Sequence, residues 1–456
     1  MQETREIISG KGARLRKEVG RHRSTLAAPI DAAPLAYFRI VFGAIMVWEV
    51  YRYWSKGWIE RYYIEPEIFF TYPGFGWVAP WEGVGMHMHF AVLGVLAAFV
   101  ALGLAYRLAA PLFALGFWYV FLLDQSNYLN HFYLIGLLAT IMAFLPANRW
   151  ASLDAVLSPQ IKKRWVPAWT LRLIQFQLAV AYFFGGVAKI NGDWLAGRPM
   201  NDWLQGSGDV FLVGPFLESS MAPLVLSWGG LLFDLLIVPA VMWKRTRVPA
   251  VLAIVAFHLT NSAVFSIGIF PWFMLAATPV FFPTPWKGWR PASLPSVTPL
   301  RSSLGLVLAA FVLWQVIMPF RHLAYPGNVS WTEEGHNFAW HMKLRDKRGR
   351  ISFTAVDPST GHEWEFDHTD YLSSRQARKM RVRPALMAQF ARKIQPRLER
   401  ELAVSPLAIR ARASVSLNGR PRAILVDPEV DLTTAEWGLA PSRWVLPLPN
   451  FSTASE

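Results

Sequence analysis

The stretch AWTLRLIQFQLAVAYFFGGVAKI, residues 168–190, decides the class of fold. It contains only two charged side chains, Arg172 near its start and Lys189 near its end. About 20 apolar residues in a helix are enough to cross the hydrocarbon core of a bilayer. The sequence therefore predicts a membrane-spanning helix that ends with a lysine. That lysine could be an anchor at the membrane surface, or a base that is kept away from water.

Similar apolar stretches recur through the first two thirds of the chain. The 456 residues are 53% hydrophobic and only 17% charged, and the mean hydropathy is +0.27. A soluble protein of this length would be more polar. We therefore predict a polytopic α-helical membrane protein with about nine spans, near residues 35–54, 88–106, 109–124, 131–146, 168–190, 222–243, 249–266, 267–284 and 303–320.

The division between the seventh and eighth predicted spans is the weakest. Gly268 and Pro271 lie inside that apolar stretch. Both residue types interrupt helices, and an irregular segment at membrane depth is tolerated where it lines a cavity. Residues 266–270 could therefore form a short re-entrant break instead of a loop between two spans.

The distribution of basic residues predicts the orientation. Positively charged residues accumulate in cytoplasmic loops, so we place the basic segment 1–34 in the cytoplasm and expect the first span to act as its own insertion signal. An odd number of spans then puts the C-terminal tail outside the cytoplasm. The net charge of +14 is better explained by these loops and anionic lipid than by nucleic acid, so we expect no nucleic-acid partner. The predicted inside loops contain Arg107, Arg149, Lys162, Lys163, Arg164, Lys244, Arg245, Arg247, Lys287 and Arg290, whereas the outside loops contain only Lys56, Arg61 and Arg198.

The tail, residues 321–456, has the pattern of a separate domain that follows the membrane domain, residues 35–320. RISFTAVDPSTGHEWEFD, residues 350–367, reads as two strands joined by a turn, and the Asn418–Gly419 pair predicts a second hairpin. The segment 385–403 has helical spacing that Pro396 interrupts. We predict an extracytoplasmic β-rich α+β domain.

Several ionisable residues lie inside the predicted spans, where they are costly unless they face a cavity or a partner. We interpret most of these as structural partners between helices, because ion pairs often serve that purpose. Cysteine is absent, so any base must be Lys, His, Tyr or a carboxylate. The residues interpreted as structural partners are Arg39, Glu49, Arg172 and Asp234.

The remaining polar residues converge on the outer half of the membrane domain. His131 begins the fourth predicted span from the outside, and Lys189 ends the fifth. His258 lies midway through the seventh, with Asn261 one helical turn later. A lysine after two glycines that allow close helix approach, with a histidine at similar depth, favours a functional site.

Four segments resemble the vitamin K-dependent γ-glutamyl carboxylase family. They are FWYVFLLDQSNYLNHFYLIGLLA (117–139), AYFFGGVAKINGDW (181–194), FHLTNSAVFSIGIFPWFMLA (257–276) and AILVDPEVDL (423–432). The similarity runs in order from the first span to the WVLPL segment. The absence of cysteine and the compact length are more similar to the bacterial members. This implies the bacterial cytoplasmic membrane, or the endoplasmic reticulum membrane in a eukaryote.

The resemblance implies a coupled oxygenation and carboxylation. A reduced vitamin K, phylloquinol or menaquinol, is oxygenated by O2 to its epoxide, and the strong base that results removes a proton from a peptide glutamate, which then adds CO2. A quinol must create that base because no side chain is basic enough to remove this proton. The implied partners are membrane lipid, the quinone and a Glu-containing peptide or protein. The implied chemistry requires no metal.

The resemblance also assigns roles to single residues. It implies that Lys189 deprotonates the quinol and that His131, with Asn130, stabilises oxygenated forms of it. Tyr182 matches a tyrosine of the family, and His258 and Asn261 match a segment that we expect to line the quinone cavity. Trp340 and Met342 match the glutamate-substrate side.

Two departures from the family pattern limit what can be carried over. Ala188 replaces the first of two adjacent lysines in the animal enzyme, and His341 replaces an acidic residue. Two alternatives remain open: a quinol epoxidase or oxidase without peptide carboxylation, and a non-enzymatic membrane transporter or lipid-binding protein.

Overall fold

The computed structural model describes residues 25–209, 213–265, 267–282, 301–438 and 440–450. The first 24 residues of the predicted cytoplasmic segment lie outside these ranges, as do Lys287 and Arg290 of a predicted inside loop.

Within the described residues, the first two thirds of the chain form nine main helices. Seven helices are long and apolar enough to cross a membrane, whereas those at 130–144 and 270–281 are shorter. Each predicted span coincides with one helix, with ends that differ by a few residues. The structure thus confirms a helical, membrane-like fold, and the count of nine spans stays a prediction. The helices are α1 (Ala33–Ser55), α2 (Gly85–Leu102), α3 (Tyr106–Leu123), α4 (Asn130–Phe144), α5 (Ala168–Val187), α6 (Ala222–Met242), α7 (Arg247–Phe265), α8 (Phe270–Ala277) and α9 (Ser302–Ile317).

Short elements connect these helices. Strands β1 (Pro29–Asp31) and β2 (Trp165–Pro167) pair antiparallel, and α8 and α9 continue as 3₁₀ turns, Thr278–Phe281 and Met318–Ala324. Other one- or two-turn helices cover Glu60–Ile64, Gln125–Asn127, Leu153–Leu157, Pro159–Ile161, Gly192–Leu195, Arg198–Leu204, Gly214–Leu217 and Val329–Thr332.

Close packing and buried polar contacts hold the helices together. A Cβ at Gly43 of α1 would lie 2.5 Å from the backbone nitrogen of Ala101 in α2, so only glycine permits this approach. Arg39 is fully buried and donates hydrogen bonds to the carbonyls of Val100 (2.9 Å) and Ala101 (2.7 Å). Its guanidinium therefore satisfies helix-end carbonyls. It does not pair with Glu49, which contacts Arg52 instead at 2.5 Å.

The break predicted between the seventh and eighth spans is present. Helix α7 ends at Phe265 and α8 begins at Phe270, and Gly268 between them has a φ of +68°, a conformation that favours glycine. Helix α8 with its 3₁₀ turn spans only Phe270–Phe281, which is shorter than the roughly 20 residues that a full crossing requires.

The C-terminal part contains one antiparallel sheet with two packed helices. Its strands are β3 (Lys347–Val356), β4 (Glu363–Phe366), β5 (Ala408–Leu417) and β6 (Ala423–Ile424), in the order β4–β3–β5–β6. Helix α10 (Ser374–Met380) begins with a capping box, and α11 (Pro384–Leu402) covers the sheet. A 3₁₀ turn covers His368–Asp370.

Both predicted hairpins are present in this sheet. The Asp357 carboxylate accepts hydrogen bonds from the Ser359 amide (2.8 Å) and the Thr360 hydroxyl (2.7 Å), which closes the first turn. Two expectations need correction. Helix α11 continues through Pro396 to Leu402, and helices and strands contribute about equally, so the domain is α+β and not β-rich.

Candidate functional site

A cavity of about 280 Å³ lies among α5, α6, α7 and α8. Its walls are mostly apolar, and it lies beside the end of α5 where Lys189 follows. Such a cavity with a few polar groups is typical of small-molecule sites. The predicted residues that line it are Tyr182, Lys189, His258, Asn261 and Met342, and they are joined there by Trp194, Asp234, Phe270 and Lys343.

Lys189 is buried and fully paired. It lies two residues beyond the end of α5 and is only 6% exposed. Its Nζ donates to Asp234 Oδ2 at 2.6 Å and to the Gly185 carbonyl at 3.1 Å, and it lies 5.2 Å from the centre of the Trp194 ring. An anchor at the membrane surface would be exposed, so this environment excludes that role for Lys189.

Gly185 allows the aspartate and the lysine to meet. A Cβ at this position would lie 2.9 Å from Met342 Cε and 3.2 Å from Asp234 Oδ2. A larger residue would push against the carboxylate that holds the amine. The two glycines of the AYFFGGVAKI segment thus create space for the pair, as their close-approach role predicts.

Tyr182 and His258 form a second polar pair on the cavity wall. The tyrosine hydroxyl and His258 Nε2 lie 2.8 Å apart. The other ring nitrogen of His258 is buried and has no hydrogen-bond partner among the described residues. Asn261, one turn later on α7, also lines the cavity. This wall can therefore offer hydrogen bonds to a bound molecule.

His131 does not line this cavity. Its ring stacks on Phe270, with ring centres 5.6 Å apart. Phe270 does line the cavity, and its ring also packs edge-on against His258 at 6.1 Å. The expected convergence of His131 with Lys189 is therefore incomplete, because the Phe270 ring lies between His131 and the cavity.

Asn130 and Trp340 also lie outside the cavity lining. The Asn130 side chain donates to the backbone carbonyl of His341 at 3.0 Å and accepts a hydrogen bond from the Tyr128 hydroxyl at 2.9 Å. Trp340 is buried against Tyr133, with ring centres 5.1 Å apart. Asn130 thus positions the segment that contains Trp340 and Met342, and of those two only Met342 faces the cavity.

Comparison with known families covers both parts of the chain. The family described as HTTM domain matches residues 27–286. The family described as vitamin K-dependent gamma-carboxylase, lumenal domain, matches residues 301–450. The chain belongs to the vitamin K-dependent gamma-carboxylase family. No solved structure matches this carboxylase-family chain.

Membership of the carboxylase family has direct implications. It implies reduced vitamin K, O2 and CO2 as reactants and glutamate-containing substrates. The match to a lumenal domain indicates that the C-terminal part of this carboxylase-family protein is extracytoplasmic. The apolar helices indicate a membrane protein.

The sequence did not identify Asp234 as the partner of Lys189. We interpreted it as a structural partner between helices, and it does join α5 to α6, but the group that it contacts is Lys189 in the cavity. The sequence did contain a signal for this pair. Asp234 is a lone carboxylate inside the apolar span 222–243, and such a group requires a partner of opposite charge, for which Lys189 was available.

Three histidines cluster within the part of the chain that matches the lumenal domain of the carboxylase family. The His341 ring lies 4.7 Å from that of His322 and 5.2 Å from that of His336. Burial lowers the pKa of His341 to about 3 and the pKa of His336 well below its usual value. Across the described ranges, no group of three or more His, Asp or Glu side chains could hold a metal ion.

Proposed function

We propose that this protein oxygenates a reduced vitamin K-type quinol to its epoxide and couples that reaction to the carboxylation of peptide glutamate. The buried Lys189–Asp234 pair on the wall of an apolar cavity carries the proposal. Deprotonation of the quinol requires a modest base in a dry site, and the strong base formed later requires protection from water. The buried amine of Lys189 and the mostly apolar cavity walls support this proposal.

The cavity suits a quinol. Its volume of about 280 Å³ is close to the lower end of the range for small-molecule sites, about 300 Å³, which fits an aromatic head group. Mostly apolar walls would bind the ring, and the polar groups of Lys189, Tyr182 and Asn261 would orient its oxygens. Bound quinol, with O2, supplies the base that removes the γ-proton of glutamate before CO2 adds.

Lys189 would accept the first proton. Its Nζ donates to Asp234 Oδ2 at 2.6 Å, and in this proposal the amine takes the quinol proton in its neutral form with the carboxylate beside it. Asp234 also fixes the direction of the amine, since it joins the end of α5 to α6.

The other predicted residues have supporting roles in this proposal. The Tyr182–His258 pair would donate one hydrogen bond to a quinol oxygen, since its other proton is used in the hydrogen bond between the two side chains, while Asn261 lines the same wall. His131 would act at the far side of the Phe270 ring, where a neutral imidazole can stabilise negative charge after that ring moves. Met342 would contact the glutamate substrate directly, with Trp340 and Asn130 holding its segment in place.

The proposed arrangement in the membrane is the predicted one. The segment 1–34 lies in the cytoplasm, residues 35–320 form the membrane domain with nine spans, and residues 321–456 form the extracytoplasmic domain on the peptide side. The placement of Lys189 and Met342 on the side of the C-terminal domain supports this, because a secreted peptide would reach the cavity from there.

One observation favours a second candidate, a quinol epoxidase without carboxylation. Four of the six polar residues predicted for quinol chemistry, all except His131 and Asn130, line the cavity, whereas Trp340 on the predicted glutamate side packs against Tyr133. Quinol oxygenation could therefore proceed in this cavity without a peptide.

The deciding experiment supplies purified protein with reduced vitamin K, labelled bicarbonate and a Glu-containing peptide. We expect epoxide and labelled peptide together. Epoxide without label would establish the second candidate. Neither product would reject both.

The role of Lys189 is tested with Lys189→Ala. We expect epoxide formation to be lost at neutral pH and partly restored by small exogenous amines. The matched control is Lys163→Ala, since Lys163 is exposed on a loop away from the cavity. Full activity of the Lys189 variant would refute the mechanism.

A further inference from the structure

A second cavity, of about 300 Å³, lies at the ends of two helices that could span the membrane: Leu122 near the end of α3 and Arg321 in the 3₁₀ turn that continues α9 both line it. It forms where these helix ends and the loop at residues 72–75 meet the C-terminal domain. Its walls combine aromatic and charged side chains, among them Tyr72, Phe338, Trp437, Arg321 and Arg383. No residue of this cavity takes part in the proposed quinol chemistry.

One buried polar group in this wall has no partner. Tyr72 is 4% exposed, and its ring stacks on Phe121 with ring centres 5.4 Å apart. Its hydroxyl makes no hydrogen bond within the described part of the chain. A buried hydroxyl without a partner is costly, and a ligand in the adjoining cavity would supply one.

Two arginines, Arg321 and Arg383, and two glutamates line this cavity, and two more cations directly behind the wall give the whole group an excess of positive charge. The Glu333 carboxylate is already held by Arg345 and Lys347, and Glu334 accepts a hydrogen bond from the Ser442 amide at 2.7 Å. The Arg383 guanidinium donates a long hydrogen bond, 3.5 Å, to the Gln125 carbonyl, and among the described residues no closer hydrogen-bond acceptor is found for it. A bound anion would balance this positive charge and accept hydrogen bonds from Arg383.

The same excess affects a lysine behind the cavity. Repulsion from Arg383, together with burial, lowers the pKa of Lys379 to about 7.

Within the cavity wall, the Arg321 guanidinium donates to the Asn337 carbonyl at 2.8 Å, and its Nε is buried without a partner among the described residues. Two arginines with spare donors and a spare tyrosine hydroxyl match the acceptor pattern of a carboxylate.

We propose that this cavity binds the carboxylate of a second glutamate of the peptide substrate, while the first glutamate occupies the cavity beside Lys189. The assignment rests on the proposed function for the identity of the peptide. Phe338 lines one cavity and Met342 lines the other. Four residues of extended chain span at most about 14 Å, so one short acidic peptide can reach both. The aromatic walls suit a peptide better than a free inorganic anion.

The test measures peptide binding to the purified full-length protein in detergent, without quinol. Fluorescent peptides contain two glutamates four residues apart, one glutamate, or glutamine at both positions. We expect the two-glutamate peptide to bind about tenfold more tightly than the one-glutamate peptide, the usual effect of a charge-assisted hydrogen bond. Arg383→Gln should remove that advantage, and Tyr72→Phe should reduce it several-fold. The latter variant loses no hydrogen bond within the described protein, so its folding should be unaffected.

The control is Arg400→Gln, which removes the same charge from an exposed position near the end of α11. It should retain the tenfold advantage. The proposal would be overturned if the two-glutamate peptide bound more tightly than the one-glutamate peptide by the same factor in wild type, Arg383→Gln and Tyr72→Phe. The proposal would also be overturned if the two-glutamate peptide lost its tighter binding in millimolar bicarbonate or phosphate at constant ionic strength. That result would assign the cavity to a small anion. Epoxide formation is measured separately, so failure here is distinguishable from failure of the proposed function.

Discussion

Replacing Lys189 alone, or together with Asp234, separates the contribution of this ion pair to stability from its role in the reaction. In Lys189→Met, the Asp234 carboxylate remains buried at 5% exposure without its partner. Removing one member of a buried ion pair costs about 3–5 kcal/mol, because the other charge stays uncompensated. In Lys189→Met/Asp234→Asn the charge is gone, and only an unpaired amide remains, which costs about 1–3 kcal/mol. The double variant should therefore be more stable than the single one by about 2 kcal/mol.

Two measurements on purified protein in detergent test this prediction. Tryptophan fluorescence during heating should show a lower midpoint for Lys189→Met, by several degrees, and partial recovery in the double variant. Chromatography of vitamin K epoxide should show no product from either. If product formation returned with stability, Lys189 would be a structural residue. If the single variant were as stable as wild type, the pair would not be a buried ion pair.

Three further predictions concern the surroundings of the site. Gly185→Ala should reduce epoxide formation, because the added carbon would lie 3.2 Å from Asp234 Oδ2, the atom that holds the Lys189 amine, whereas Gly192→Ala, with no atom within 4 Å, should retain it. His341→Gln should weaken the pH dependence of the unfolding midpoint. The pKa of His341 is about 3 in the folded state and 6.5 ordinarily, so as the pH falls below 6.5 the proton binds the unfolded state first. The free energy of unfolding of the wild type should therefore fall by roughly 1.4 kcal/mol per pH unit between these two values. Arg420→Ala removes two hydrogen bonds to Asp193, of 2.6 and 2.5 Å. This variant should form epoxide more slowly. Hydrogen exchange in the strands of the C-terminal sheet should stay unchanged, which would show that the sheet itself is still folded.

Local patterns were sufficient to predict the helices and the hairpins. The length of each apolar stretch located the helices to within a few residues, since the bilayer sets the length that a span requires. The Asn418–Gly419 turn was also readable, because both residues adopt positive φ, +51° and +75°, as such a turn demands. The position of Lys189 beyond the end of α5, two residues after Val187, required the structure.

Contacts between distant residues could not be read from the sequence. Asp234 lies 45 residues from Lys189, and nothing in either span specifies that their side chains meet. The same applies to His131, which lies behind the Phe270 ring. Depth along a span follows from residue counting, whereas rotation about the helix axis follows from packing with the neighbouring helices.

The hairpin tip of the C-terminal sheet reaches into the immediate neighbourhood of Lys189. Asn418 and Arg420 both hold the Asp193 carboxylate, and Asp193 lies four residues after Lys189. The two parts of the chain are therefore not interchangeable modules. A chimera that exchanges the C-terminal domain between relatives should preserve activity only if it also carries this tip and its aspartate as one unit, so the usable crossover points are set by the hairpin and not by the end of the last helix.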